Sequence, residues 1–166
     1  MGTFGTGRRG IGSLGWALRG AAAGAAGTTA LNAVTYLDMA VRGRGTSSTP
    51  EQTVEELAGK AHLAVPGEGE TREHRVQGLG ALTGIVAGIG IGVLVGLARA
   101  AGFRSQPLVG TALVTGGVLV ATNGPMTVLG ITDPRTWSAT DWVSDVVPHL
   151  AYGVVVKTTM DAFDLP

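Results

Sequence analysis

Asp145, His149, Lys157 and Asp161 recur along "DVVPHLAYGVVVKTTMD" at multiples of four residues, and Gly153 fills the gap in the series. On a helix, residues four apart share one slowly turning ridge. This ridge presents a carboxylate, an imidazole, bare backbone, an ammonium and a second carboxylate in turn. Pro148 leaves the carbonyl of Ser144 without its helical donor and favours a kink. Three kinds of chemistry fit such residues. An imidazole flanked by carboxylates changes charge near neutral pH and responds to protons. Two histidines with two aspartates suit a divalent metal. An Asp–His pair can act as a general base. No His-x-x-x-His or comparable ligand spacing accompanies them, so no metal and no cofactor are expected. No Gly-x-Ser-x-Gly motif and no cysteine supply a nucleophile, so the chain is expected not to be an enzyme. The plainest alternative is an Asp–His hydrogen bond that sets helix register, with the terminal charges snorkelling to lipid headgroups.

The elements that carry this ridge follow from the distribution of charge. Charged residues make up 14% of the 166, against roughly 25% in soluble domains. None falls between Val76 and Ala98, and none between Pro107 and Thr132. Each segment exceeds the roughly 20 apolar residues that a membrane-spanning helix needs. Arg99 and Arg104 bracket the joint "RAAGFRSQP", so the two read as an apolar hairpin with a basic turn. Two weaker segments flank them: 20–41, with Asp38 as its one charge, and 142–163, which carries the ridge. A central charge costs about 2.5–3.5 kcal/mol on insertion scales. Neither flank would insert strongly alone, yet both have the length and can pack on the central pair. The expected fold is all-α: one domain over 1–166, an integral membrane four-helix bundle. Its spans cover about 20–41, 76–98, 107–131 and 142–163, its termini lie on one side, and one extramembrane helical loop covers 42–75.

Antiparallel spans bring defined depths together. Asp38 near the end of the first span falls level with Asp145 near the start of the fourth. His74 enters on the same side, and Asn123 lies somewhat deeper. Asp38, His74, Asn123, Asp145 and His149 are therefore the candidate proton-responsive cluster, in the half facing the long loop. Ionisable residues inside spans mark function by default. At the opposite end, Lys157 and Asp161 form a second charged pair, with each other or with Arg19 and Arg99.

Glycine supplies 28 of the residues. In "GALTGIVAGIGIGVLVG" it recurs every fourth position, at Gly80, Gly84, Gly88, Gly92 and Gly96. In water each costs a helix roughly 1 kcal/mol relative to alanine. In hydrocarbon an unpaired peptide group costs several, so the helix persists and the missing side chains allow two backbones to approach. Glycine-zipper packing is expected, with Gly20, Ala23, Gly24 and Gly27 repeating the theme in the first span. Gly116, Gly117 and Gly124 do so in the third, and a glycine face left over would serve a homo-oligomer. The run Gly5-x-Gly7-x-x-Gly10 has no room for a preceding strand and is no dinucleotide fingerprint.

Within the long loop, "TPEQTVEELAGKAHL" reads as a helix with Thr49 as N-cap, Pro50 at the first position and Gln52 completing a capping box. "VPGEGE" ends it. Ser138 with Asp141 marks the start of the fourth span, and Trp137 and Trp142 fit an interfacial belt. Arg8 and Arg9 ahead of the short apolar stretch Ile11–Leu18 admit a targeting peptide cleaved near Ala26, and "MGTFGT" fits a permissive myristoylation pattern. Lys and Arg divide evenly between the two sides, so the charge rule does not orient the chain. The net charge is zero and no nucleic-acid motif is present. The expected partner is the lipid bilayer, and the expected location the cell membrane, multi-pass.

The stretches "SSTPEQTVEELA", "GLGALTGIVAGIGIGVLVG" and "TDPRTWSATDWVSDVVPHLAYGVV" resemble small four-span membrane proteins of unknown function from high-GC actinobacteria. More distantly, the span layout and "PHLAYG" are similar to the YagU-like inner-membrane family, which is linked to acid tolerance. The resemblance brings no catalytic residues. It implies a structural or stress-related membrane component, with a pH-related role around His149. The alternative is a small ion or solute transport component.

Overall fold

The computed structural model describes residues 11–165. Arg8, Arg9, the myristoylation pattern and the Gly5–Gly10 run lie outside the described residues. The chain forms α1 (Ser13–Arg42), α2 (Thr49–Lys60), α3 (Gly69–Ala100), α4 (Pro107–Val128), a 3-10 turn (Pro134–Thr136) and α5 (Ala139–Ala162). Among the described residues there is no strand. The fold is all-α. Both α1 and α3 begin seven residues ahead of the expected spans, so the polar loop is shorter than 42–75. Of the stretch ahead of Ala26, the residues from Ser13 onward form the packed first half of α1: Trp16, Gly20, Ala23 and Gly24 are buried.

Local signals set the helix ends. At α5 the Ser138 side chain accepts from the Asp141 N–H while the Asp141 carboxylate accepts from the Ser138 N–H, a complete capping box. Hydrogen bonds donated by the Ser138 hydroxyl and then by its N–H hold the Asp141 carboxyl below its usual range. In the preceding turn the Arg135 guanidinium and N–H do the same for Asp133. The start of α2 differs from expectation. Ser48, not Thr49, is the N-cap, its side chain caps no backbone N–H, and the Gln52 amide donates to the Ser48 hydroxyl at 3.0 Å. Pro50 thus sits at the second helical position. The helix ends at Lys60, ahead of "VPGEGE". His62 adopts φ +55°, and Leu63 N–H donates to the Ala58 carbonyl. Gly102 and Gly130 close α3 and α4 through the same pattern with positive φ. That conformation suits glycine, which has no Cβ to clash.

The packing order departs from a simple hairpin. α1 packs most extensively on α3 and next on α5, and α5 packs on α4. α3 and α4, consecutive in sequence and the most apolar, barely touch. The weaker flanking segments instead form the centre: Trp16 and Ala23 of α1 and Tyr152, Val156 and Met160 of α5 make the core with Val114 and Val118 of α4. Residue size decides this. An α3 methyl group at Gly92 would overlap the Gly20 carbonyl oxygen and lie 2.6 Å from the Gly24 Cα. One at Gly24 would lie 2.7 Å from the Gly88 oxygen, and one at Gly96 would overlap the Trp16 oxygen. Gly80 instead faces Pro50 of α2 at 3.1 Å, and Gly84 faces open space. Gly116, Gly117 and Gly124 of α4 meet nothing within 4 Å.

α3 and α4 are long and apolar enough to cross a membrane. Only 17% and 22% of their most apolar windows are buried inside the protein, whereas the core helix of a soluble domain would be mostly covered. Leu82, Val86 and Leu94 on α3, and Leu108, Leu113 and Val120 on α4, are exposed.

Candidate functional site

The polar residues gather at two ends of the bundle, with a dry layer between. At the loop-facing end, α4 and α5 are clasped. The Asn123 amide donates to Asp145 Oδ2 at 2.8 Å. His149 Nδ1 lies 2.7 Å from the Asp145 backbone carbonyl and 3.5 Å from Asp145 Oδ1. A carbonyl only accepts, so Nδ1 carries a hydrogen. His149 Nε2 faces the Thr122 hydroxyl at 3.4 Å. That hydroxyl donates back to the Val118 carbonyl at 2.9 Å. The cluster is partly buried, with 13% of the His149 side chain and 21% of Asp145 exposed.

Asp38 lies at this depth but has other partners. Its carboxylate accepts from Arg42 and Arg44, each at 2.6 Å. Arg42 also donates to the Ser144 hydroxyl at 2.6 Å, so α1 reaches α5 one residue ahead of Asp145. The sequence places Asp38 level with Asp145, yet its carboxylate is taken up by two arginines just beyond it, Arg42 and Arg44. His74 does not join. It is exposed on the first turns of α3, and no hydrogen bond or ion pair links it to the cluster. It stays apart because α3 packs on α1 and α2 rather than on α4. Of the five candidates, the structure brings together Asn123, Asp145 and His149, ties Asp38 in through Arg42 and Ser144, and leaves His74 out.

The middle of α5 is filled. Tyr152, Val156 and Met160 are each 0% exposed. The Tyr152 hydroxyl donates to the Gly88 carbonyl at 2.6 Å, which fastens α5 to α3. Sequence reasoning passed over Tyr152. The signal available was a lone tyrosine in mid-span, since a buried phenol needs an acceptor.

At the opposite end, Lys157 and Asp161 pair with each other, and Arg99 pairs with Asp161. The network extends further than expected. Arg99 Nε lies 3.1 Å from Asp164 Oδ2, and Arg104 Nε lies 3.3 Å from the same oxygen. The Arg104 guanidinium donates to the Arg99 carbonyl at 2.7 Å. Arg19 donates to the Phe163 carbonyl at 3.0 Å and stacks over the Trp16 and Phe163 rings. Arg99 and Lys157 are buried, at 6% and 5% exposed, although their carboxylate partners are far more open. Asp164 and Arg104 lay outside the expected ridge because they belong to helix ends, where geometry depends on the turn.

These arrangements can hold helices in register and present buried cations. Among the described residues, no three of His, Asp and Glu come close enough to hold a metal ion. No protein-family model, no curated protein and no solved structure matches the chain.

Proposed function

We propose that the chain is a four-span integral membrane protein of the cell membrane, with α1, α3, α4 and α5 as its spans and a glycine-zipper contact between α1 and α3. In this role it is a structural, non-enzymatic component whose Asn123–Asp145–His149 clasp couples helix packing to pH, which fits a stress-related task. The lipid bilayer is its obligatory partner, and the open glycine face of α4 suits a second copy. The resemblance of its sequence to four-span actinobacterial proteins is in keeping with this reading.

The observation that carries a structural role over a transport role is the layer at Tyr152, Val156 and Met160, each 0% exposed. A route for ions from the His149 end to the Lys157 end would need water at that depth. Polar groups at both ends instead have protein partners. The charged and polar groups around His149 are Asp145 on its own helix, Thr122 and Asn123 on α4, and Arg42 from α1 beyond Ser144.

Two measurements test the proposal. Proteoliposomes holding the wild type should dissipate an imposed pH gradient no faster than protein-free vesicles; faster dissipation, abolished in His149→Ala, would replace the structural role with transport. In detergent, the melting temperature of the wild type between about pH 5 and 8 should follow a different profile from that of His149→Gln. Superimposable profiles would remove the proton response and leave a purely structural clasp.

A further inference from the structure

Because α3 and α4 splay apart, a groove of about 310 Å³ runs between them, within the size range of small-molecule sites. Its walls are apolar, from Leu94 and Val95 on α3 to Leu113 and Val114 on α4. Its end is not. Arg99 and Lys157 line the groove, while their partners Asp161 and Asp164 do not. The cations face inward and the carboxylates stand behind them.

Both cations are more than nine-tenths buried and retain unused donors. Lys157 Nζ has three N–H groups and donates to Asp161 alone. Arg99 donates from Nη2 to Asp161, and its buried Nε makes no hydrogen bond despite the nearby Asp164 oxygen. Charged groups held out of water with fewer hydrogen bonds than they can make are costly. Gly110 holds the lysine in place: a methyl group there would overlap the Lys157 Cε. The uncapped start of α4 adds a positive helix end beside it. Among the described residues, Arg19, Arg99, Arg104 and Lys157 meet two carboxylates here, Asp161 and Asp164.

An apolar channel ending in buried cations with spare donors matches one chemistry: an anionic head with several oxygens joined to a hydrocarbon tail. We propose that the α3–α4 groove binds an acidic glycerophospholipid, its acyl chain along Leu94 and Leu113 and its phosphate at Lys157 and Arg99. This inference rests on the membrane reading of the chain.

The test is native mass spectrometry of the full chain, released from micelles supplemented with equal amounts of phosphatidylglycerol and phosphatidylcholine. The wild type should retain phosphatidylglycerol about tenfold over phosphatidylcholine, the scale of one charge-assisted hydrogen bond. Lys157→Met should abolish the preference. Leu113→Trp, which fills the groove and leaves the charges intact, should reduce retention of both lipids to background, and it decides the matter alone if Lys157→Met does not fold. Equal retention of the two lipids by the wild type would overturn the proposal, as would an unchanged preference in either variant. Inorganic phosphate raising the melting temperature as much as phosphatidylglycerol would assign the site to a free anion. A dimer lost in Leu113→Trp would assign the groove to a second copy. A protein that needs no detergent would overturn the membrane reading itself, a result separable from loss of lipid preference in micelles.

Discussion

Asp141 shows how one side chain sets an element. Its carboxylate accepts from the Ser138 N–H and hydroxyl, and those bonds lower its proton affinity in the folded state. A carboxyl whose folded pKa is depressed stabilises the fold above the unfolded value of about 3.9 and loses that contribution as the pH falls through the lowered folded value. Acidification below about pH 4 should therefore fray the first turn of α5, read as hydrogen exchange at Asp141 and Trp142; protection unchanged down to pH 2 would contradict the cap. Ser138→Ala should lower stability by about 1 kcal/mol at neutral pH. His62 is the converse case. It holds φ +55° where α3 and α4 use glycine. His62→Gly should raise stability by about 1 kcal/mol, the cost of a side chain in that region, measured by thermal melting. The Ser138–Asp141 box was legible because its partners are three residues apart. The α2 cap was not, because Ser47, Ser48 and Thr49 offer three hydroxyls in a row and only the backbone path selects Ser48.

At the scale of elements, glycine spacing and glycine use are different properties. Gly84 and Gly92 belong to the same four-residue row, yet one faces open space and the other the backbone of α1. Gly92→Ala should destabilise the bundle by about 1–3 kcal/mol through overpacking. Gly84→Ala should be neutral or stabilising by up to about 1 kcal/mol. Chemical denaturation of both variants in mixed micelles checks this, and equal effects would remove the α1–α3 contact as the reason for Gly92. The row was readable from sequence. The choice among its members was not, because it depends on where α1 crosses α3. The same applies to the candidate cluster. Asn123, Asp145 and His149 meet because α4 and α5 are neighbours in space and joined by a short turn. His74 entered the list on depth alone, and depth carries no information about which helices touch.

At the scale of the whole molecule, the two helices apolar enough to cross a membrane leave most of their apolar windows uncovered by protein. α3 and α4 turn large aliphatic side chains outward while Tyr152, Val156 and Met160 of the more polar α5 are packed at the centre. In water such a surface would aggregate; in hydrocarbon it is the surface that needs no cover. The purified chain should require detergent or lipid to remain monodisperse, judged by light scattering. A stable monomer in plain buffer would mean that another protein surface, not lipid, covers these faces.

The amino-acid sequence by itself determined the all-helical content, the capped start of α5, and the two segments apolar enough to cross a membrane. These are local properties, set by charge-free runs, capping pairs and periodicity within a single segment. Tertiary structure alone decided that α1 and α5 form the centre, that α3 and α4 stand apart around a groove, and that Arg99 and Lys157 point into it with their carboxylates behind. Those outcomes depend on which small residues on one helix meet small residues on another. Helices of equal length can satisfy their own backbones in any arrangement, so only the fit between their surfaces distinguishes one bundle from the next.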